Sequence, residues 1–386
     1  DHPIYANTLL EAVYRQESRL VVVSSEPTRI AETAELWLRP RPGTETELIN
    51  GLLFLVFQEK LEDQAFIQAH TSGLEALKNS LAAFTPEAVA AATKVPEAEL
   101  RRAATLYARA NPGALVFGSE MAGIRQKSPL VRGMINLVLA CGNLGVEGGG
   151  LYPLPAGGNA QGICDQGMLP DAFPGYQDLL KNDIRQKFMH VWKVDRLPGT
   201  PGLTRPAMFE QARSGKLRGM FLLGDNPLDW DQPAEVDRSD VEQAVRKLSF
   251  LVVQDTFMTE TALMADVILP GACFAEKDGT MTSGERLVQR LRTALVPPGE
   301  ARRDLQILMD LARSMGHAMD FPSAAAVMEE IAGVSPLMAG ISYPRLTRQG
   351  IAWPCPGPRH PGTPRLFEDG FPGGRAEFFT SAPAQE

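Results

Sequence analysis

The chain has 386 residues, 44% of them hydrophobic, which is enough for two cores of ordinary size. Its net charge of -8 comes from 46 acidic and 38 basic residues that are interspersed along the sequence, which argues against a nucleic-acid partner or an anionic membrane surface. The longest purely apolar run, residues 52–57, is far shorter than the roughly 20 residues that span a bilayer, so we expect no direct membrane insertion and a soluble, cytoplasmic chain.

Helical and β-branched patterns alternate through the first part of the chain. The predicted elements are a strand over 19–24, helices that include 48–55 and 96–109, a strand over 114–117 and a helix over 128–141. Such alternation is typical of a layered α/β domain. We place this first domain at residues 1–157.

A second alternating set follows a stretch rich in proline and glycine. Its predicted elements are strands over 219–223, 250–253 and 267–269 and helices over 240–248, 259–265 and 304–315. These elements predict a second α/β domain over residues 158–320. Prolines and glycines dominate from about Ser335 onward, so residues 321–386 are predicted to form an irregular covering segment.

The cysteines and histidines exclude several kinds of site. Cys141, Cys164, Cys273 and Cys355 lie far apart, with no Cys-x-x-Cys and no histidine at ligand spacing, so we expect free thiols, no iron–sulfur cluster and no metal ligand in this chain. None of the five histidines lies beside a Ser or Cys nucleophile motif. No Gly-x-Gly-x-x-Gly opens a helix and there is no Walker loop, which disfavours nicotinamide or ATP chemistry.

Polar residues follow each of the three strands predicted in the second domain. They are Gly224, Asp225 and Asn226 after the first strand, Gln254 and Asp255 after the second, and Glu276 and Asp278 after the third. In a doubly wound sheet, ligands bind beyond the carboxyl ends of the strands. Carboxylates and amides there suit the donor-rich edge of guanine or a ribose diol better than a phosphate, which needs basic groups or free backbone N–H groups. The alternative is that each residue only caps the next helix or turn, but together they favour a nucleotide site.

Residues 153–176 form a long glycine-rich loop. Its glycines allow a close approach of the backbone to a bulky ligand, and Asn159, Gln161 and Asp165 add polar side chains. A plain surface loop is the alternative, because loops are commonly rich in Gly, Pro and Asn. The length of the loop favours a functional one, since long structureless loops inside compact domains are uncommon.

Four stretches of the sequence resemble the molybdopterin oxidoreductases: residues 157–176, 219–227, 250–270 and 274–289. The similarity extends in order from the first residue to about residue 379, and it is most specific in Val-Val-Gln-Asp at 252–255 and Asp-Val-Ile-Leu-Pro at 266–270. The formate dehydrogenase large subunit and the molybdopterin-like subunit of the NADH-quinone oxidoreductase are the most similar members. The resemblance implies an α/β fold with two doubly wound, Rossmann-like domains of three αβα layers. Each domain would hold one pterin guanine dinucleotide around a single Mo or W ion.

The resemblance also implies roles for individual residues. Positions matching the family's dinucleotide-lining residues are Gly224, Asn226, Gln254, Asp255 and Asp304, and Asp225 lies among them. Asn159, Gln161 and Gly162 fall in the loop near the pterins. The acidic groups would accept hydrogen bonds from guanine or ribose, and the glycines would admit the ligand close to the backbone.

Three departures from the family pattern weaken the cofactor site expected in the first domain. Pro155 stands where active formate dehydrogenases carry an arginine that would face the substrate carboxylate. Ser-Ser-Glu at 24–26 replaces the usual Asp-Pro-Arg, so an anionic ligand would meet a carboxylate instead of a guanidinium. Glu120 occupies a position that is usually glycine.

Two oxidoreductase functions remain open, and for both we expect a piece of a longer protein. The departures favour the degenerate molybdopterin-like region of an NADH-quinone oxidoreductase, which takes part in electron transfer. The alternative is the central part of a catalytic formate dehydrogenase alpha subunit, and a weaker one is a guanine-nucleotide-binding module without enzyme activity. Whether this chain alone is an enzyme stays open, and we assign it no catalytic residue.

The expected partners follow from the resemblance. They are an iron–sulfur domain and NADH- or quinone-linked subunits of an electron-transfer complex. Through these partners the chain would lie at the periphery of the inner membrane, on its cytoplasmic side.

Overall fold

A computed structural model of the chain describes residues 2–15, 17–118, 127–155, 157–229 and 236–381. The chain divides into two compact units. Unit 1 comprises Asp1–Ala156 with Arg365–Glu386, and unit 2 comprises Gly157–Pro364. The C-terminal residues therefore return to unit 1, where the sequence alone had suggested one covering segment over residues 321–386.

Unit 1 is mostly helical. Its elements are α1 Pro3–Tyr14, β1 Val21–Val23, α2 Arg29–Thr33, β2 Leu36–Leu38, α3 Glu45–Gln58, α4 Gln64–His70, β3 Thr71–Ser72, α5 Leu74–Ser80, α6 Pro86–Thr93, α7 Glu97–Ala108, β4 Ala114–Gly118, α8 Lys127–Ala140, β5 Gly150–Leu154 and, from the C-terminal segment, the last strand of the chain, Ala376–Glu377. The helix predicted around residues 48–55 is confirmed as α3, whose Leu48, Leu53 and Leu55 are fully buried. This helix packs against α6, α7 and α8.

The strands of unit 1 form pairs. β1 lies parallel to β2, and β4 lies parallel to β5. The strand Ala376–Glu377 lies parallel to β3. A continuous doubly wound sheet in this unit therefore stays a prediction.

Unit 2 contains the remaining elements. They are α9 Ala160–Asp165, β6 Ala172–Phe173, β7 Gln177–Asp178, α10 Asn182–Trp192, α11 Arg205–Arg213, β8 Gly219–Leu223, α12 Arg238–Lys247, β9 Phe250–Asp255, β10 Val267–Pro270, β11 Gly279–Thr282, β12 Leu287–Leu291, α13 Asp304–Ser314, α14 Ala324–Val334, α15 Tyr343–Leu346 and β13 Ile351–Ala352, with 3-10 turns at Ala262–Met264 and Phe274–Glu276. With these two sets of elements, the strand Ala376–Glu377 of unit 1 is β14.

A parallel three-stranded sheet in the order β10-β9-β8 forms the centre of unit 2. One face of this sheet packs against α11 and α12, and their common core includes Leu222, Leu251 and Val253. The three strands predicted from the sequence are confirmed at nearly the predicted bounds. The carboxyl ends of these strands meet at one edge of the sheet.

The helix predicted over residues 259–265 is wrong, because only the 3-10 turn Ala262–Met264 forms there. Two threonine hydroxyls take part in side-chain bonds that compete with a regular helix. Thr259 Oγ1 accepts a hydrogen bond from the backbone N–H of Ala262, and Thr261 Oγ1 donates to the side chain of Asn226. Short crossovers of this kind leave little room for a full helical turn.

An antiparallel sheet in the order β11-β12-β13 was not predicted from the sequence. It shares a core with α14 and α15 that includes Val288, Met338 and Trp353. Residues expected to be irregular are helical here because Pro344 lies in the first turn of α15, where a proline is tolerated. Within the described residues, no helix is both long and apolar enough to cross a membrane.

Candidate functional site

The carboxyl edge of the parallel sheet in unit 2 is held together by backbone hydrogen bonds. Leu223 of β8 pairs with Gln254 of β9, which pairs in turn with Leu269 of β10. The N–H of Gly224 donates to the carbonyl of Gln254 at 2.8 Å. Gly224 has a φ of +62° and no atom within 4 Å of the point where a Cβ would lie. Glycine suits this left-handed conformation, and it leaves the strand end open to a ligand.

Gln254 is linked to a charged pair at this edge. Its Nε2 donates to Oδ1 of Asp304 at 2.8 Å, and Oδ2 of Asp304 lies 2.5 Å from Nζ of Lys277. A carboxylate only accepts hydrogen bonds, so the amide nitrogen of Gln254 must face Asp304. The amide oxygen is then left buried, with no partner among the described residues.

Asp225 and Asn226 also lie at the edge. Asp225 forms an ion pair with Arg205 at 3.4 Å. Asn226 uses both ends of its amide, since Oδ1 accepts from Thr261 Oγ1 at 2.6 Å and Nδ2 donates to Glu260 at 2.9 Å. This second bond is the main cause that lowers the pKa of Glu260. Asn226 therefore braces the edge through bonds to the protein itself.

The remaining predicted acids make local contacts. Oδ1 of Asp255 accepts from the backbone N–H of Phe257 at 3.1 Å. Oε2 of Glu276 accepts from the N–H of Cys273 at 2.9 Å, and Asp278 lies 3.4 Å from Arg290. For Asp255 and Glu276 the simpler interpretation, a cap of the following turn, describes the geometry.

Sequence reasoning missed two basic groups at this edge, Arg205 and Lys277. Each contacts a carboxylate that had been predicted as a ligand-binding group. Lys277 lies between Glu276 and Asp278 in the sequence, so its position was visible, but its contact with Asp304 depends on the fold. Arg205 begins α11 and had no signal near the strand ends.

The glycine loop is anchored on the antiparallel sheet of unit 2. Oδ1 of Asn159 accepts from the backbone N–H of Thr282 in β11 at 2.8 Å. A Cβ on Gly162 would lie 2.2 Å from this oxygen and 3.1 Å from Thr282 Oγ1. Only glycine at position 162 therefore lets Asn159 fold back onto β11.

Gln161 belongs to a cluster around the buried carboxylate of Asp165. Gln161 Nε2 and the hydroxyl of Tyr176 both donate to Oδ1 of Asp165 at 2.7 Å, and Nε1 of Trp353 donates to Oδ2 at 2.7 Å. Burial raises the pKa of the Asp165 carboxyl, and the three hydrogen bonds oppose this shift. The pKa of Tyr176 is also raised, chiefly by burial. The sequence had singled out Asp165 and Gln161 but gave no indication of Trp353.

The departures predicted for unit 1 are only partly described. The hydroxyl of Ser24 donates to the carbonyl of Glu26 at 2.9 Å, and Trp37 Nε1 donates to the carbonyl of Ser24 at 2.9 Å, so residues 24–26 form a tight turn after β1. Pro155 directly follows β5. Glu120 lies outside the described residues. Across the part of the chain that the structure describes, no three His, Cys, Asp or Glu side chains are grouped closely enough to hold a metal ion.

Comparison with known proteins gives extended matches. The family model "Molybdopterin oxidoreductase" matches residues 1–314. The chain is 37% identical over 383 residues to F420-dependent formate dehydrogenase subunit alpha of Methanocaldococcus jannaschii, a match that covers 98% of this chain and 55% of that protein. It is 33% identical over 384 residues to formate dehydrogenase H of Escherichia coli, covering 98% and 53%. The chain thus spans about half the length of the curated relatives it matches.

A solved structure supports the fold. Acetylene hydratase from Pelobacter acetylenicus superposes with a TM-score of 0.69, covering 96% of this chain and 52% of that one, at 21% sequence identity. At this identity the likeness concerns the fold alone. The mixture of helices and strands described above is therefore shared with a larger protein.

Proposed function

Because the chain belongs to the molybdopterin oxidoreductase family, we propose that it is the dinucleotide-binding part of a formate dehydrogenase-type large subunit. The observation that carries this proposal is the set formed by Gly224, Gln254 and Asp304 at the carboxyl edge of the parallel sheet. The comparisons favour this alternative over the NADH-quinone oxidoreductase interpretation, since the most similar relatives reported are formate dehydrogenase alpha subunits.

Family membership implies a molybdopterin cofactor, and we infer that unit 2 takes it as a guanine dinucleotide. Its edge offers hydrogen-bond acceptors, which suit the N–H groups of guanine and the hydroxyls of ribose. Gln254 Oε1 is buried without a partner, which is costly unless a water or a ligand N–H reaches it. The open backbone at Gly224 allows a ring or a ribose to approach.

The residues of this edge divide into two groups by what they have left to offer. Gln254 and Asn226 spend amide groups on protein partners, so they orient their neighbours. Asp225, Asp255 and Asp304 are only partly buried and keep acceptor capacity for ligand donors. In the glycine loop, Asn159 retains its Nδ2 donor and Gln161 its Oε1 acceptor for the pterin, with Gly162 holding Asn159 in place.

The cofactor, when bound, supplies oxidation and reduction at its Mo or W centre. The side chains of this chain bind it, fix its orientation and exclude water from its guanine end. Electrons would leave through an iron–sulfur domain and further subunits of a complex. These partners are proposals that follow from the family.

Hydrogen exchange tests the proposed site. Saturating GMP should protect residues 219–227 and 250–258 of the chain, because the base and ribose would contact both strand ends, whereas AMP should protect them less. Asp304→Asn should weaken this protection, since it breaks the pair with Lys277 and removes charge from the acceptor. Asp310→Asn is the matched control, because it changes an acid of the same helix that pairs with Arg302 and Arg313. Exchange that stays the same with saturating GMP would count against the proposal.

A further inference from the structure

Two cations lie at the carboxyl edge of the parallel sheet in unit 2, and the residue pattern had suggested that this edge lacks basic groups. We propose that Arg205 and Lys277 bind the diphosphate of the nucleotide held there. This rests on the function proposed above, and it adds a second ligand chemistry to a site so far described by its acceptors. Phosphate groups need cationic side chains or free backbone N–H groups, and the edge has both.

Lys277 is fixed at the edge but keeps unused donors. Its ammonium group carries three N–H donors, and Asp304 is the one acceptor that it contacts among the described residues. The side chain is 31% exposed, so its remaining donors are accessible. Asp304 is itself bonded to Gln254, the buried end residue of the central strand. Lys277 is thus held where a ligand of this strand end would lie.

Arg205 is positioned in a similar way beside the neighbouring strand. Its Nη2 lies 3.4 Å and 3.5 Å from the two oxygens of Asp225, at the long limit of a hydrogen bond, and the side chain is 38% exposed. The guanidinium lies 5.5 Å from the ring centre of Phe209, which restrains its plane. Nε and Nη1 donate to no other described residue. A guanidinium can contact a carboxylate and a phosphate at once, because its five donors point in different directions.

Backbone groups between the two cations complete the arrangement. No described residue accepts a hydrogen bond from the backbone N–H of Asp225 or Asn226. Gly224 precedes them with a φ of +62° and has free space where a Cβ would lie. Successive N–H groups next to a left-handed residue form a concave site that favours anions. Because the two cations also offset the charge of Asp225 and Asp304, a diphosphate avoids the repulsion that an all-acidic edge would impose.

Calorimetric titration of the full chain with guanosine, GDP and inorganic pyrophosphate tests the proposal. Wild type should bind GDP at least ~tenfold more tightly than guanosine, as expected for charge-assisted contacts. Arg205→Gln and Lys277→Gln should each remove about tenfold of GDP affinity and leave guanosine binding unchanged. Arg213→Gln is the matched control, since Arg213 ends the same helix α11 and pairs with Asp240 at 3.6 Å. Pyrophosphate should compete with GDP in wild type and not in the double variant.

The possible outcomes separate this proposal from the proposed function. Equal binding of guanosine and GDP, or variants that keep the GDP advantage, would overturn the diphosphate assignment and leave the guanine site standing. Binding of neither guanosine nor GDP would overturn both. Arg205→Lys guards against misfolding as an explanation, because it retains the charge and should keep part of the GDP advantage while it loses the planar donor fork.

Discussion

Single residues in the glycine loop matter through the partners that the fold brings to them. The sequence predicted Asn159 and Gln161 as polar groups near a ligand, but it did not reveal which of their atoms are already used. Asn159 Oδ1 is taken by Thr282, more than a hundred residues away in the chain, and Gln161 Nε2 is taken by Asp165 and Tyr176. Contacts at such separations do not follow from local patterns, so residue type was predictable here and donor direction was not.

Gly162 provides a test at this scale. We expect Gly162→Ala to push Asn159 away from Thr282, because the new Cβ would lie 2.2 Å from Asn159 Oδ1. The lost hydrogen bond and the steric conflict should lower the free energy of unfolding by about 1–3 kcal/mol. Denaturant unfolding of both proteins measures this difference.

Gly157→Ala in the same loop is the matched control. No atom lies within 4 Å of the point where its Cβ would be placed, so the change should alter the unfolding free energy by no more than about 0.5 kcal/mol. If Gly162→Ala unfolded at the same denaturant concentration as wild type, the proposed fit between Gly162 and Asn159 would be wrong.

At the scale of elements, Asp165 joins segments that are far apart in the sequence. It ends α9, and its carboxylate binds Trp353 just after β13 and Tyr176 just before β7. The side chain is fully buried, so it loses hydration that three hydrogen bonds replace. The glycine loop is thereby tied to the antiparallel sheet core of unit 2.

The titration of Asp165 should affect stability with a defined sign. Burial raises its pKa in the folded chain above the ordinary 3.8, so ionisation costs more in the folded than in the unfolded state. The stability that this group contributes is complete below pH 3.8 and is lost as pH rises through the folded pKa. Asp165→Asn cannot ionise and should lack this part of the pH dependence.

Denaturant unfolding of wild type and Asp165→Asn between acid and neutral pH measures this effect. The difference in unfolding free energy, wild type minus variant, should fall as pH rises. Asp178→Asn is a suitable control, since Asp178 is an exposed acid of β7 whose carboxylate accepts from the backbone N–H of Leu180. A difference for Asp165→Asn that does not change with pH would contradict the assignment.

Elements with a strong local pattern were predictable, and those fixed by distant partners were not. The β-branched run at 250–253 lies in the predicted strand because it is buried between neighbours of the same kind. The strands Gly279–Thr282 and Leu287–Leu291 are short and carry weak alternation, and β12 also pairs with β13, some sixty residues later. Their pairing depends on the tertiary fold.

At the scale of the whole molecule, the C-terminal segment shows the limit of a prediction made in chain order. Asn136 in α8 exchanges hydrogen bonds with the backbone of Phe379 at 2.8 and 3.0 Å, across 243 residues. Ala376 also pairs with Thr71. A segment rich in proline and glycine gave no local sign that it would complete the core of unit 1, because its order depends on surfaces built much earlier in the chain.

Family membership leaves open whether the parent protein oxidises formate, and Pro155 bears directly on that question. A proline has no cationic group, so it cannot form the bidentate pair with a carboxylate that an arginine makes at this position in similar enzymes. We expect the 386-residue chain alone to show no formate-dependent dye reduction, and measurable reduction by the purified chain would refute this.

In the intact, cofactor-loaded protein, Pro155→Arg should lower the KM for formate by about tenfold if the loop faces the substrate, because a charged donor fork would then meet the carboxylate. Steady-state kinetics with formate measure the change, and kcat should vary less than KM, since the new group binds the substrate before any chemistry. Pro153→Arg is the matched control, because Pro153 is exposed within β5 and lies two residues earlier. If Pro153→Arg lowered the KM by the same factor, the effect would be one of general positive charge, and position 155 would have no special place in substrate recognition.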